Sequence, residues 1–322
     1  MPIDAEALLR YPIPDVRQRL AAQDAVLYAL SIGFGQDPLD TRQLDFVDHH
    51  RALRALPFMA VVLGHPGFWL TDPRTGVDAV RLVHGEQGIV IHRPFPIGGE
   101  VIGRTRVTGL VDKGPGRGAL LYAEKLVLDA ADETLLATTT ATVFLRGDGG
   151  FGGASGPVRP AHSMPGTPPD HVVDLPTRPE QALLYRLNGD DNPLHADPAV
   201  AAAAGFPRPI LHGLCTLGVV GHALLRTLGG YDPARFHALD LRFSAPVFPG
   251  ETICTEIWDD GAFQARVVER DILVVSNGRA VFKPGTGEAC CSKARSRSSP
   301  APAAALAVRS PWRWPWPARP SW

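Results

Sequence analysis

Apolar positions along this chain follow two different periods, and the switch from one to the other happens twice. Val16, Leu20, Ala21, Ala25, Leu27 and Leu30 recur at roughly helical spacing. That spacing predicts an amphipathic helix with Asp15 as its N-cap and Gly33 and Gly35 as its stop. A second apolar helix is expected over HHRALRALPFMAVVLG, residues 49–64. From Ile89 to Phe144 the pattern turns to strands, in IVIHRPF, EVIGRTRVTGLV, ALLYAEKLVLD and LLATTTATVFL, with Gly, Pro and Asp turn signals between them. DKGPGRGALL, between two of these runs, opens no helix and reads as a hairpin turn, not a dinucleotide loop.

Residues 147–170, GDGGFGGASGPVRPAHSMPGTPPD, carry no periodicity and are rich in Gly, Pro and Ser, which marks a linker. GDGGFGG lacks the Lys-Ser/Thr of a phosphate loop. After the linker the order repeats: a helix at PEQALLYRLN, a turn-rich stretch, and a long apolar helix from Gly213 to about Leu228. Strands follow at FHALDLRFSAPV, ETICTEIWDD, AFQARVVER and ILVVSNGRAVF. The expected organisation is a first unit over 1–146, the linker over 147–170, a second unit over 171–284 and a tail over 285–322. The tail is rich in Pro, Ala, Ser and Arg, has no acid after Glu288, and sets Trp312, Trp314 and Trp316 among prolines. No core can be built from it. It reads as a disordered extension or an out-of-frame translation, with a sticky interaction tail as the other reading.

Composition narrows the function classes. The chain has 322 residues, 45% hydrophobic and 20% charged, with a formal net charge of −1. Its charges are interspersed, so nucleic acid and anionic membrane are not expected partners, although a local basic pocket could still hold a small polyanion. The start of the chain lacks a basic segment followed by an apolar one, and no run approaches the roughly eighteen apolar residues of a membrane span. Cytosol is the expected compartment; the final Pro-Ser-Trp is not a Ser-Lys-Leu peroxisomal address. The four cysteines, Cys215, Cys254, Cys290 and Cys291, form no metal-type spacing and are expected to be reduced, Cys215 as a small core residue.

The chemistry concentrates in YRLNGDDNPLHADP, residues 185–198. Neutral His offers one acceptor and one donor nitrogen, and ionised Asp accepts only. Asp190 and His195 together can hold one water and exchange protons with it. Pro193 restricts the backbone, so Asn188–His195 should form a fixed turn, after which Asp197-Pro198 caps and opens a short helix that ends at Gly205. Downstream, FPRPILHGLCTLG places His212 before Gly213 at a helix start. Helix starts present unpaired N–H groups, and a residue without a side chain lets a carbonyl approach its amide. A carbonyl polarised at Gly213, with Asp190 and His195 nearby, would describe addition or removal of water at an activated double bond. Each residue also has a plain structural reading: Asp, Asn, Gly and Pro are ordinary turn residues, and His212 fits a hydrogen-bonded core position equally well. A metal site from His195, Asp197 and His212 is a further alternative, but Asp197 is better explained as a cap, and no metal is expected.

These stretches resemble the signature of the R-specific 2-enoyl-CoA hydratases, the hydratase 2 or MaoC-like dehydratase family, with Asn188 where Ser is common. LVHGEQGIVIHRPFP, GLVDKG and FLRGDGGFGG resemble its long, two-unit members, so the likeness runs over about residues 5–284. The resemblance implies an α+β double hot-dog: two antiparallel sheets, each wrapped around a long central helix. It implies Asp190 and His195 as the pair that activates water, Asn192 as their support, and Gly213 as donor to the thioester oxygen. His84, Gly85, Lys113 and Phe243 would contact the acyl-CoA thioester substrate, Lys113 as a charge partner for a CoA phosphate. No second DxNPxH occurs before residue 150, so the first unit would mainly accommodate the acyl chain. Long members often carry a Phe-Val-Tyr-Glu stretch where this chain has Phe46-Val47-Asp48-His49, which leaves no acid role there to carry over. The implied reaction is reversible hydration of trans-2-enoyl-CoA to (3R)-3-hydroxyacyl-CoA in fatty-acid metabolism, with no cofactor. The alternatives are a biosynthetic dehydratase, another hot-dog thioester enzyme such as a hydrolase, and a non-catalytic acyl-CoA-binding protein. Hot-dog units generally pair, so a homodimer of the long form is compatible with this fold.

Overall fold

The computed structural model describes residues 3–284; the tail expected over 285–322, with Cys290 and Cys291, lies outside them. Among the described residues there are ten strands: β1 (Val16–Arg19), β2 (Leu82–Ile91), β3 (Glu100–Asp112), β4 (Ala119–Asp129) and β5 (Leu135–Leu145), then β6 (His171–Pro176), β7 (Phe236–Phe243), β8 (Thr252–Ile257), β9 (Ala262–Val267) and β10 (Ile272–Phe282). The α-helices are α1 (Ala5–Leu9), α2 (Ala22–Ser31), α3 (Leu44–Val47), α4 (Gln181–Tyr185), α5 (Pro198–Ala203) and α6 (Gly213–Thr227).

All ten strands join in one sheet in the order β1-β3-β4-β5-β2-β7-β10-β9-β8-β6. Every observed pairing is antiparallel. This corrects the expectation of two separate sheets. β2 pairs with β7, from Glu86 opposite Arg242 to Val90 opposite Ala238, so the two halves share one hydrogen-bonded ladder at their junction. An exposed strand edge carries unpaired N–H and C=O groups, and here each half satisfies one edge of the other.

Among the described residues a long central helix occurs only once. α6 runs 15 residues and is buried from Cys215 to Leu225, so it is apolar on nearly every side, as a helix inside a core must be, with Thr216 and His222 its buried polar residues. Burying each Leu or Val there contributes about 1.5–3 kcal/mol. Its interior glycines cost helix propensity, and close packing explains them. A Cβ on Gly218 would stand 2.3 Å from Ile32, and one on Gly221 would stand 2.8 Å from the Phe58 ring. The expected helix over 49–64 does not form. Leu56 is extended, Pro57 opens only a short 3-10 turn to Val61, and Gly64 turns back with φ +58°. Proline disfavours helical conformation in the residue before it, so a run with helical spacing is cut in two.

The first expected helix is also shorter than its apolar spacing predicts. Val16–Arg19 is a strand against β3, and Asp15 accepts from Arg104 at 3.0 Å instead of capping a helix. The helix begins after Ala21, whose N–H donates to Asp24 at 2.8 Å. The strands at ALLYAEKLVLD, LLATTTATVFL and ILVVSNGRAVF occupy the predicted residues. The glycine-rich GDGGFGG segment binds a carboxylate of the chain itself: Gly150 and Gly152 donate to Asp112 at 2.7 and 2.8 Å, beside Gly114 at 2.8 Å. Cys215 is buried and Cys254 half-buried, both as free thiols. Among the described residues no helix is long and apolar enough to cross a membrane.

Candidate active site

Residues 188–197 form the turn between α4 and α5. Gly189, at φ +102°, turns the chain out of the 3-10 continuation of α4 over Arg186–Asn188, a left-handed conformation that glycine adopts without steric cost. Asn192 then caps a second 3-10 turn, Pro193–His195, accepting from the Leu194 N–H at 3.0 Å. Pro193 stands at a first helical position, where a missing N–H forfeits no intrahelical bond. Asp197 caps α5, accepting from the Ala199 N–H at 2.8 Å. The side chain of Asn192 thus fixes the turn that carries His195.

His195 is buried, with its Nδ1 2.8 Å from the Ile210 carbonyl oxygen. That oxygen can only accept, so Nδ1 carries the proton and Nε2 keeps its lone pair. His212 stacks on His195 with ring centroids 3.7 Å apart and planes inclined by 29°. Its Nε2–H donates to the Asp190 backbone carbonyl at 3.3 Å, while Nδ1 is buried with no protein partner among the described residues. A carboxylate oxygen of Asp190, a ring nitrogen of His195 and one of His212 all lie within 4.8 Å of one another. The metal alternative had paired the two histidines with Asp197; the acid that joins them is Asp190.

Burial sets the electrostatics. It pushes His195 below the usual histidine range, against the opposing pull of the Ile210 carbonyl and the Asp190 charge. Burial, then the neighbouring His195, pushes His212 down to about 3. Both imidazoles are therefore neutral at physiological pH.

Gly213 opens α6, and its N–H has no partner within the helix. A Cβ there would meet the Phe243 ring at 3.5 Å. Phe243 stands edge-on to His84, with centroids 5.2 Å apart and planes at 72°. His84 Nε2 lies 3.1 Å from the Glu86 carbonyl, and the Asp190 charge reaches its ring, opposing the burial that pushes it down. Asp190, His195, His212, Gly213, Phe243 and His84 thus form one continuous cluster from both halves of the chain. Gly85 sits where the β2–β5 register slips between His84 and Glu86, with the Thr142 carbonyl 3.3 Å from the position of a Cβ. Such a bulge re-aims the neighbouring side chain, here His84. Lys113 is exposed on the β3–β4 hairpin, its Nζ 5.3 Å from the centre of the Phe144 ring. No contact among the described residues joins it to the cluster.

His65, beside this cluster, and Lys125, whose charge reaches His65, escaped sequence reasoning. The fields of Lys125 and Asp190 both reach His65, with opposite signs. Lys125 is buried on β4 and donates to the carbonyls of Val61 and Leu63 at 2.9 and 2.7 Å; burial pushes its ammonium down to about 7. No motif marks either residue, and only the fold brings His65 within reach of both the Asp190 and the Lys125 charge.

This geometry gathers a carboxylate and two imidazoles beside the opening of α6. Comparison with known proteins supplies the family. Residues 160–277 match the MaoC like domain, and residues 19–147 match the MFE-2 hydratase 2 N-terminal domain. The chain is 39% identical over 291 residues to the peroxisomal enoyl-CoA hydratase 2 of Arabidopsis thaliana, covering 85% of this chain and 94% of that one. It is 43% identical over 239 residues to 3-hydroxyacyl-thioester dehydratase Y of Mycobacterium tuberculosis, covering 73% and 81%. Among solved structures, the MaoC-like dehydratase of Phytophthora capsici superposes with a TM-score of 0.75 at 33% identity, covering 87% of this chain and 99% of that one. The chain belongs to the MaoC-like dehydratase and hydratase 2 family, in its two-domain form. Its fold is the double hot-dog of its structural neighbours, drawn here as one continuous sheet. It is a hydro-lyase of that family.

Proposed function

We propose that this chain catalyses the reversible hydration of a trans-2-enoyl-CoA to the (3R)-3-hydroxyacyl-CoA. The observation that carries the reading is the convergence of the Asp190 carboxylate and the His195 and His212 rings within 4.8 Å, next to the opening amide of α6. Water held between the Asp190 carboxylate and His195 Nε2 adds its oxygen to C3 of the enoyl group. The electron pair of the double bond moves toward the thioester oxygen, where the Gly213 N–H meets the developing charge. One proton of water passes to the Asp190/His195 pair and one is delivered from the pair to C2, so the pair ends as it began. Asn192 keeps the turn in shape. His84, Gly85 and Phe243 flank the acyl thioester, and Lys113 acts further out as a charge partner for a CoA phosphate. In this reading residues 1–146 accommodate the acyl chain and 171–284 perform the chemistry.

The test is to mix purified protein with crotonyl-CoA and with an enoyl-CoA of about eight to twelve carbons, follow loss of the enoyl absorbance, and resolve the product on a chiral phase. The (3R) alcohol is expected. Release of free CoA with the double bond intact would mean hydrolysis, and binding without turnover would mean a non-catalytic acyl-CoA protein. A second reading, dehydration of a 3-hydroxyacyl thioester on a carrier protein, draws on the likeness to dehydratase Y. It uses the same residues in reverse, and a higher kcat/KM on carrier-bound than on CoA-bound substrate would favour it.

A further inference from the structure

The last residue of α2, Ser31, is fully buried and gathers three elements of the second half around it. Its carbonyl accepts from Gln181 Nε2 in α4 at 2.7 Å and from Cys215 Sγ in α6 at 3.4 Å. Its hydroxyl accepts from Asn188 Nδ2 at 3.0 Å. The direction of that last bond is fixed. The Ser31 hydroxyl has one hydrogen, which it donates to the Tyr28 carbonyl at 2.8 Å, so it can only accept from the carboxamide. The second Nδ2 hydrogen of Asn188 goes to the Tyr185 carbonyl at 2.8 Å. Both amide hydrogens are thus spent, one on the local backbone and one on the other half of the chain.

Asn188 sits immediately before the Gly189 hinge and two residues before Asp190. The far end of the turn is pinned where His195 Nδ1 donates to the Ile210 carbonyl. We infer that Asn188 and Ser31 are a positioning pair, through which the first half of the chain fixes the near end of the catalytic turn and so the distance from Asp190 to His195. The inference rests on the proposed roles of those two residues, and it gives the first half a part in catalysis beyond accommodating an acyl chain. Asparagine at 188 is the residue such a bridge needs. A serine there has one hydrogen, enough for the Tyr185 carbonyl and none left for Ser31.

The test compares Asn188→Ala, Asn188→Ser, Ser31→Ala and the double variant N188A/S31A with the intact protein. Hydrogen exchange of the turn peptide, residues 189–196, is read on free protein, and kcat and KM are read with an enoyl-CoA. Exchange across the turn is expected to speed up by about tenfold in Asn188→Ala and Ser31→Ala, with α6 unchanged. With it kcat falls by about tenfold while KM stays within about twofold, because displaced catalytic groups slow the reaction more than they weaken binding. The double variant should be no slower than the worse single one, since one bridge is broken only once. Asn188→Ser should match Ser31→Ala, because it keeps the Tyr185 bond and loses the bridge. If Asn188→Ala fails to fold, these two milder variants decide alone. Unchanged exchange in the turn, or losses in kcat that multiply in the double variant, would overturn the pair. The exchange readout needs no activity: an inactive intact protein whose turn still loosens on substitution refutes the catalytic reading and keeps the pair, whereas an active one with an unaffected turn refutes the pair alone.

Discussion

The imidazole of His212 lies face to face with that of His195, 3.7 Å between centroids, so neither ring can take a proton without setting a cation against its neighbour. Burial and the adjacent His195 hold His212 down to about 3, and burial holds His195 below the ordinary histidine range. In the proposed reaction His195 must be neutral to accept a proton from water. The acid limb of kcat/KM is therefore expected to have an apparent pKa below the ordinary value of about 6.5. A pH–rate profile on an enoyl-CoA measures it. A limb centred at or above that value would mean that His195 is not the group whose protonation stops the reaction.

The same burial makes stability depend on pH. His195, His212 and His222 are buried, and burial lowers all three, His212 and His222 to about 3. The unfolded chain takes up protons at these positions below about pH 6.5 while the native chain does not, so stability is fully present above that pH and is lost as pH falls toward about 3. Each such histidine adds about 1.4 kcal/mol per pH unit to the slope. His222 stacks on Phe34 at 3.8 Å and meets the Tyr231 hydroxyl at 3.1 Å, away from the Asp190 cluster. His222→Phe should flatten the slope by about one proton, read from urea midpoints between pH 7 and pH 5. An unchanged slope would show that His222 is protonated in the native state.

Removing either member of the pair separates binding from chemistry. Asp190→Asn and His195→Gln preserve the shape of the turn but cannot exchange protons in the same way, and each is expected to lower kcat by about a hundredfold to ten-thousandfold. Thermal stabilisation of the protein by a bound acyl-CoA should survive in both. Normal turnover in both variants would remove the catalytic assignment.

Much of this site was legible because its key residues are close in sequence. Asp190, Asn192 and His195 span six positions, and Pro193, Gly189 and Asp197 announce the turn that carries them. Apolar strand-length runs bounded by good turn signals, such as Ala119–Asp129, were legible for the same local reason. What depends on distant partners was not. Four residues, Val16–Arg19, become a strand because β3 lies beside them, although their apolar spacing continues into a helix. The fusion of two sheets depends on β2 meeting β7, a pairing across more than a hundred residues that leaves no periodic trace in either strand. The His195–His212 stack likewise exists only once the turn packs on the start of α6, and the approach of His65 to Asp190 only once the halves are packed together.

Gly213 offers a test of the amide at the start of α6. A methyl group there would lie 3.5 Å from the Phe243 ring, an ordinary contact, so Gly213→Ala should fold with little change in thermal midpoint. The same methyl would crowd the approach of a thioester oxygen to the N–H. Loss of one oxyanion donor typically costs about a hundredfold to a thousandfold, and partial obstruction should cost about tenfold to a hundredfold in kcat/KM. Full activity in this variant would place the thioester oxygen elsewhere.

The junction of the halves is pinned by Glu86 and Arg242, which face each other across β2 and β7. Arg242 donates through Nε and Nη2 to one Glu86 oxygen, at 3.0 and 2.6 Å, and Thr142 donates to the other at 2.8 Å. The side chains are 23% and 41% exposed, so water screens the pair in part and a fully buried ion-pair value does not apply. Glu86→Gln, which keeps the shape and loses the charge, is expected to cost about 1 kcal/mol. Arg242→Ala should cost more, because the Glu86 carboxylate keeps only Thr142. Urea unfolding of both single variants and the double variant measures the coupling, and it should be largest at low salt. A coupling near zero would show that backbone pairing alone holds β2 to β7, in which case these charges could be exchanged without loosening the junction on which His84 and Phe243 depend.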